Sequence, residues 1–577
     1  MINRMMLLAG AALAAVSCAT APQPQTTIAG DYLSGRLAAG LNDIDAAADR
    51  FGAAVVDRPD NEDLVRSAFL YHLAAGEIDA AAPFAEKLAA SKDRDGLAQF
   101  ALAATRLKLG DLIGARAILQ QQTPEPFTKS IAFLAGGWIE AELSGPAAGV
   151  TAFDLGKDVF TGFNPTFKAI LLEEKGEIEA AREQHELSVA TFGGPVGREA
   201  YGAFLERHGP KEAALDYYAV LAKDGGASRR LAQAALKRIS RNAPSKAYAD
   251  VSAAEGAAIG LYLFAGNLLQ QSAEELQRAA EAGFKVSERP FNLPLALTQI
   301  AVYLDPKFSE AQRLVGSIHN IYGNYAAARA AFAKVPAGSA QYELAQTEIA
   351  GSLEAEDRSE EAIDVLRSVV RRDKDAEDAR LTLAGLYASK ERHRDAVDVA
   401  SAAIARLGDE PPEDAWRHFV TRAASLIELD RFPEAEADLK RAVEIDPEEP
   451  VALNYLGYSW VERGVNLEEA FALIEKAVAL RPQSGAIIDS LGWAHYQRGE
   501  YDIALPHLEK AASLEPADPT ITDHLGDAYW RLGREVEARF QWARALELKP
   551  AERARAAIEE KLKSGLAPAT PKTADTP

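Results

Sequence analysis

One spacing recurs along this chain and constrains its fold more than any other feature. Around Ala504 stand Leu508 four residues on, Ala511 seven on and Pro516 twelve on, with Gly499 five before and Gly492 twelve before. Ala538 repeats the pattern with Trp542, Ala545, Pro550, Gly533 and Gly526. So do Ala435 (Leu439, Ala442, Pro447), Ala470 (Ile474, Ala477, Pro482) and, near the other end, Ala47 (Phe51, Ala54, Pro59, Gly35). In an Ala-rich chain an alanine register alone would mean little, but joint agreement of four residue types at fixed offsets is specific. Such a period marks stacked repeats. Each position has a physical reason. Small residues such as Gly492, Ala504 and Ala511 let two helix backbones approach. Gly499 and Gly533 suit a left-handed turn between helices. Ile488, Leu491 and Leu508 fill the space between neighbours, and Pro516 ends the second helix.

The anchoring Ala falls at 47, 81 and 115, at 181 and 214, at 328, 362 and 396, and at 435, 470, 504 and 538. Within the first and third groups the step is 34 residues. From 396 to 435 it is 39, with Gly408 to Pro412 as the insertion, and the step to 470 is 35, with Asn466 as the extra residue. This spacing resembles the tetratricopeptide (TPR) repeat, a pair of antiparallel helices. The resemblance covers roughly 28–550 and is strongest over 416–550. It implies an all-α TPR helix-hairpin solenoid, wound as a right-handed superhelix, in two arrays joined by an irregular helical segment. The expected N-terminal array spans 28–240, with a degenerate unit at 130–160. The junction spans 241–308, where helical patterning loses register, and the C-terminal array spans 309–550. Residues 551–563 read as a capping helix and 564–577 as a disordered tail. A chain of 577 residues is too long for one globular core, and a repeat explains the length without many domains.

The N-terminus gives an address. Arg4 precedes an uninterrupted apolar run from Met5 to Val16, then Ser17-Cys18, the pattern of an export signal. The run is too short for a transmembrane helix. Ala15-Val16-Ser17-Cys18 resembles the lipobox of bacterial lipoproteins, with Ala15 where Leu is usual. The resemblance implies removal of residues 1–17 and acylation of Cys18, the chain's one cysteine. Residues 18–27 then form a flexible Pro/Thr/Gln tether. Ala19 in place of Asp after the Cys implies the outer membrane's periplasmic face. Ordinary secretion, with Cys18 discarded or left as a free thiol, is the alternative.

In a TPR stack the first helix of each repeat lines the concave surface, and its positions 2, 5, 9 and 12 share one face. Over the last three repeats that face reads Val451, Asn454, Tyr458, Val461; Ala486, Asp489, Trp493, Tyr496; and Thr520, Asp523, Asp527, Trp530, with Arg531 beside it. Aromatic and Arg side chains dominate binding hot spots. Asn454, Tyr458, Asp489, Trp493, Tyr496, Asp523, Asp527, Trp530 and Arg531 are therefore the expected peptide- or protein-binding groove. Trp460, Tyr529 and Trp542 fall where the family packs core aromatics. For Tyr458, Trp493 and Trp530 the alternative to ligand contact is packing against the C-terminal cap or another part of the superhelix. Asp489 and Asp523 would repel a bound carboxylate, so a ligand offering basic or hydrogen-bond-donor groups fits better.

Acidic residues outnumber basic ones 85 to 63, and a net charge of −22 disfavours nucleic acid. One cysteine excludes an intramolecular disulfide and any cysteine zinc cluster. The nine His residues lie scattered, with none at ligand spacing from another His or Cys. Phosphate loops, His-Glu-x-x-His and nucleophile elbows do not occur. An Asp489–Ser490–His495 triad is rejected, since the three share one helix that points Ser490 and His495 apart. The expectation is a non-enzymatic, lipid-anchored periplasmic scaffold without metal or cofactor, touching the membrane only through acylated Cys18 and binding envelope proteins or peptides. The alternatives are an accessory of exopolysaccharide or pilus export machinery, and a degenerate hydrolase on a helical solenoid.

Overall fold

The computed structural model describes residues 28–91, 95–121, 126–155, 162–191, 194–224, 226–281, 292–408 and 411–567. The signal, Cys18, the tether and residues 568–577 lie outside the described residues, as do Asp409 and Glu410 of the insertion. Among the described residues the regular elements are α-helices and two 3-10 turns, with no strand. Helices alternate as antiparallel pairs, and the repeat register explains why. Ala504 and Ala511 are fully buried, Leu508 fills the space beside Gly492, and Gly499 turns the chain at φ +80°. A methyl at Gly492 would stand 2.8 Å from Leu508, so that close approach requires glycine. The anchoring alanines from Ala47 to Ala538 are buried throughout.

The chain divides into two compact units that interleave in sequence: Met1–Tyr201 with Lys246–Ala331, and Gly202–Ser245 with Phe332–Pro577. This differs from a split into consecutive arrays. In the first unit, helix pairs from Ile28–Gly40 to Ile178–Thr191 present apolar first-helix faces, with Phe69, Phe100, Leu134 and Trp138 buried. Such a face must be covered, and the chain covers it itself. Asn292–Leu304 packs on Glu62–Ala74 and Gly96–Lys108, while Ala253–Glu281 packs on Pro126–Ser144. Within the segment expected as an irregular junction, Asn292–Leu304 and the first half of Ala253–Glu281 are thus core. Its register is lost because these helices fill a face instead of extending a stack.

In the second unit the helix Gly226–Ser240 is held to later repeats by ion pairs. Arg229 pairs with Asp414, Arg230 with Glu343 and, at 3.2 Å, with Asp373, and Lys237 with Asp375 at 3.2 Å. The hairpins from Tyr342–Glu354 to Glu535–Glu547 follow in unbroken order, closed by Glu552–Ser564. The tail expectation needs correction at its start. Ser564 ends the terminal helix, and Gly565 to Ala567 are placed against Trp530 and Arg531. Gly565 has φ +71° and sits where any Cβ would enter the Trp530 ring, so both conformation and contact demand glycine.

Candidate functional site

The expected groove residues lie on three successive first helices, Pro450–Arg463, Gly485–Gln497 and Pro519–Arg531. Caps set the starts of the first and third: Glu449 accepts from Val451 N, and Asp518 accepts from Thr520 N and Ile521 N. Neighbouring first helices touch, so residues at one repeat position form a row from helix to helix.

The structure brings these residues together, yet much of the row faces inward. Trp493 is only 8% exposed, stacked between Tyr496 (centroids 4.5 Å, planes 7° apart) and His524 (3.8 Å, 11°), and its Nε1 donates to Glu462. Asp489 is 5% exposed and its Oδ2 accepts from His524 Nδ1 at 2.9 Å. Asp527 accepts from Trp542 Nε1 at 2.8 Å. Lys561 spans the last two carboxylates, 2.7 Å from Asp523 and 2.8 Å from Asp527. Arg531 donates from Nε to the Tyr496 hydroxyl at 3.2 Å and from Nη1 to the Ala567 carbonyl at 2.6 Å. Tyr458, Asn454 and Trp530 are half-buried, and beside them Tyr455 keeps 39% of its surface exposed. Asp489, Trp493, Tyr496, Asp527 and Arg531 are thus held mainly by the protein itself, whereas the open aromatic surface is at Tyr455, with half-buried Tyr458 beside it.

The electrostatics follow from burial and crowding. Burial pushes the Asp527 pKa up, and although Lys561 opposes this, neighbouring Asp523 adds to the rise. Lys561 loses solvation, but Asp527 and Asp523 outweigh that and hold its pKa above the usual value. Burial lifts the Tyr458 phenol well above its ordinary range, and the charges of Glu462, Asp489 and Asp523 act in the same direction.

Four participants are not evident from residue-by-residue inspection of the sequence. His524 has no nearby partner in the chain, yet it stands 35 residues after Asp489, one repeat on, and that offset is the available signal. Lys561 lies 34 residues after Asp527, continuing the row Tyr458, Trp493, Asp527 into the terminal helix. Glu462 and Tyr455 give no comparable signal. The triad is absent as geometry: Ser490 Oγ donates to the Ala486 carbonyl, and His495 Nδ1 lies 2.7 Å from Glu500. Among the described residues no three His, Cys, Asp or Glu side chains converge as metal ligands, and no helix is long and apolar enough to cross a membrane. A separate cleft of about 640 Å³ lies in the first unit between Phe133, Gly137, Ile139 and Leu155, with Arg116 and Glu140 paired at 3.5 Å on its wall.

Comparison with known proteins bears on the same stretch. A tetratricopeptide repeat family model matches residues 348–412, 420–485 and 490–564. Residues 348–564 carry tetratricopeptide repeats. A TPR repeat-containing protein of Pseudomonas aeruginosa, PA4667, is 36% identical over 89 residues, 15% of this chain and 15% of that protein's length. Among solved structures, the Cut9–Hcn1 hetero-tetramer of the APC/C is similar over 93% of this chain and 96% of its own, at 15% identity and TM-score 0.38. The TPR protein TTC0263 of Thermus thermophilus is 23% identical, covering 32% of this chain and 99% of its own, at TM-score 0.29. An array of TPR hairpins is a scaffold for binding other proteins or peptides, and the fold here is all-α throughout the described residues.

Proposed function

We propose that this protein is a lipid-anchored periplasmic TPR scaffold that holds other envelope polypeptides on the first-helix face of its C-terminal repeats. The observation that carries the reading is the exposed ring of Tyr455, with half-buried Tyr458 beside it, set on repeats that the family model matches. Such a ring offers large aromatic area at low entropy cost. The address rests on Cys18 and the apolar run before it. Outer-membrane placement and a role in envelope assembly or secretion belong to the same proposal. Service to exopolysaccharide or pilus export is the second form of it, and no feature of the face singles out a sugar.

Two experiments test it. Fractionation with lipid labelling compares wild type with Cys18→Ser; a variant that stays membrane-bound and still takes up labelled lipid removes the anchor. A photo-crosslinking residue at position 455 should capture polypeptides from envelope fractions. Equal capture by Tyr455→Ala/Tyr458→Ala chains carrying the crosslinker elsewhere on this face would dispose of the aromatic edge as the docking element.

A further inference from the structure

The first described helix, Ile28–Gly40, is apolar on both sides. Its inner side packs: Ala39 is buried and Gly35 lies against the ring of Phe51. Its outer side does not. Leu33 and Leu37, each 64% exposed, are spaced i, i+4 on it, and Leu41, 72% exposed, continues their stripe from the turn just past its end, where its N–H still bonds the Leu37 carbonyl at 2.9 Å. An exposed leucine stripe is normally covered, and the end repeats of solenoids normally turn a polar face outward. Neither holds here. Tyr32 flanks the stripe, with Arg36 Nη1 donating to its hydroxyl at 3.2 Å. The outward residues between Tyr32 and Leu41 include Arg36 and no carboxylate, Asp31 being turned in to accept from Arg50 at 3.2 Å. The face is therefore mainly apolar, with Arg36 in its middle and exposed Asp43 just past Leu41.

We infer that the Leu33–Leu37–Leu41 stripe lies on a phospholipid surface, as a second membrane contact beside the acylated cysteine. The inference rests on the anchor reading given above. Nine residues, Ala19 to Thr27, separate Cys18 from this helix, a reach of about 30 Å when extended. Within that reach the helix is never far from the bilayer. Leucines bury into the acyl boundary, while Tyr and Arg side chains suit the headgroup layer. Several acyl chains already hold the protein, so the stripe adds orientation: it presents one side of the first unit to the membrane.

The test uses the chain starting at residue 18 with Cys18→Ser, which removes both signal and acyl group. It is centrifuged with vesicles of phosphatidylethanolamine and phosphatidylglycerol, and with phosphatidylcholine vesicles to separate the contribution of Arg36. The expected result is co-sedimentation that falls by about tenfold in Leu33→Gln/Leu37→Gln/Leu41→Gln. All three positions are exposed, and circular dichroism melting confirms that the fold is kept. Equal sedimentation of the two chains, or none by either, overturns the inference. So does a dimer of the Leu chain by light scattering that becomes a monomer in the Gln chain without vesicle binding, which would make a second copy the occupant. Lipid labelling of Cys18 in cells without vesicle binding sinks this inference alone. Vesicle binding without labelling sinks the anchor reading and leaves the stripe.

Discussion

The imidazole of His524 lies flat on the indole of Trp493, ring centroids 3.8 Å apart and planes within 11°. One repeat helix thereby grips the next through a stacked pair whose far side is tied to Asp489. The contact makes Trp493 part of the packing between repeats, and it gives the C-terminal array a titratable joint.

Burial by itself would lower the His524 pKa, but Asp489 outweighs it, with Asp523 and Asp527 adding, and the net shift is upward from 6.5. A raised folded pKa means that folding takes up a proton. The stabilisation is complete below the unfolded value near 6.5 and is lost as pH rises through the higher folded value. Imidazole NMR should show a titration above 6.5, with the melting temperature falling across that window. His524→Gln should flatten that fall; an unchanged pH profile would show that another group governs it.

Trp493→Ala should cost about 3–5 kcal/mol, the range for emptying a buried aromatic site. Denaturant melts followed by far-UV dichroism measure it. A cost under about 1 kcal/mol would mean that the ring is not a packing element. The cost also makes this variant a poor binding probe, because lost capture would report local unfolding. Tyr455, at 39% exposure, is the cleaner position.

Gly256 brings the helix Ala253–Glu281 onto Trp138, where a methyl would fall inside the indole. Gly256→Ala should destabilise the first unit by about 1–3 kcal/mol through overpacking, measured by thermal or denaturant melts. Gly266, in the same helix, has open space around its Cα. There Ala should be neutral or stabilise by up to about 1 kcal/mol. Equal effects at the two positions would contradict the seating of this helix.

Arg230→Ala strips the partner from Glu343, a carboxylate with 6% of its side chain exposed. Leaving that charge buried should cost about 3 kcal/mol, seen as faster hydrogen exchange over Gly226–Ser240. Lys237 is 63% exposed and its pair with Asp375 is screened, so Lys237→Ala should cost under about 1 kcal/mol. Unchanged exchange in Arg230→Ala would mean that other contacts hold the helix.

The sequence by itself determined the repeat. Offsets of four, seven and twelve from an anchoring Ala are local constraints on how two helices pack, and local constraints survive in one dimension. They placed the helix pairs, the Gly turns at 499 and 533, the buried Trp542 and the three helices that carry the candidate face, and the family resemblance implied the buried Trp460 and Tyr529. Tertiary structure decided what each face touches. Whether Trp493 meets a ligand or His524, whether Asp523 and Asp527 stay open or hold Lys561, and whether 253–304 links arrays or fills one depends on contacts between residues far apart in sequence. Leu33 and Phe69 are equally apolar on paper; one is 64% exposed and the other 1%. Burial belongs to the surroundings of a residue, and those surroundings exist only once distant helices have met.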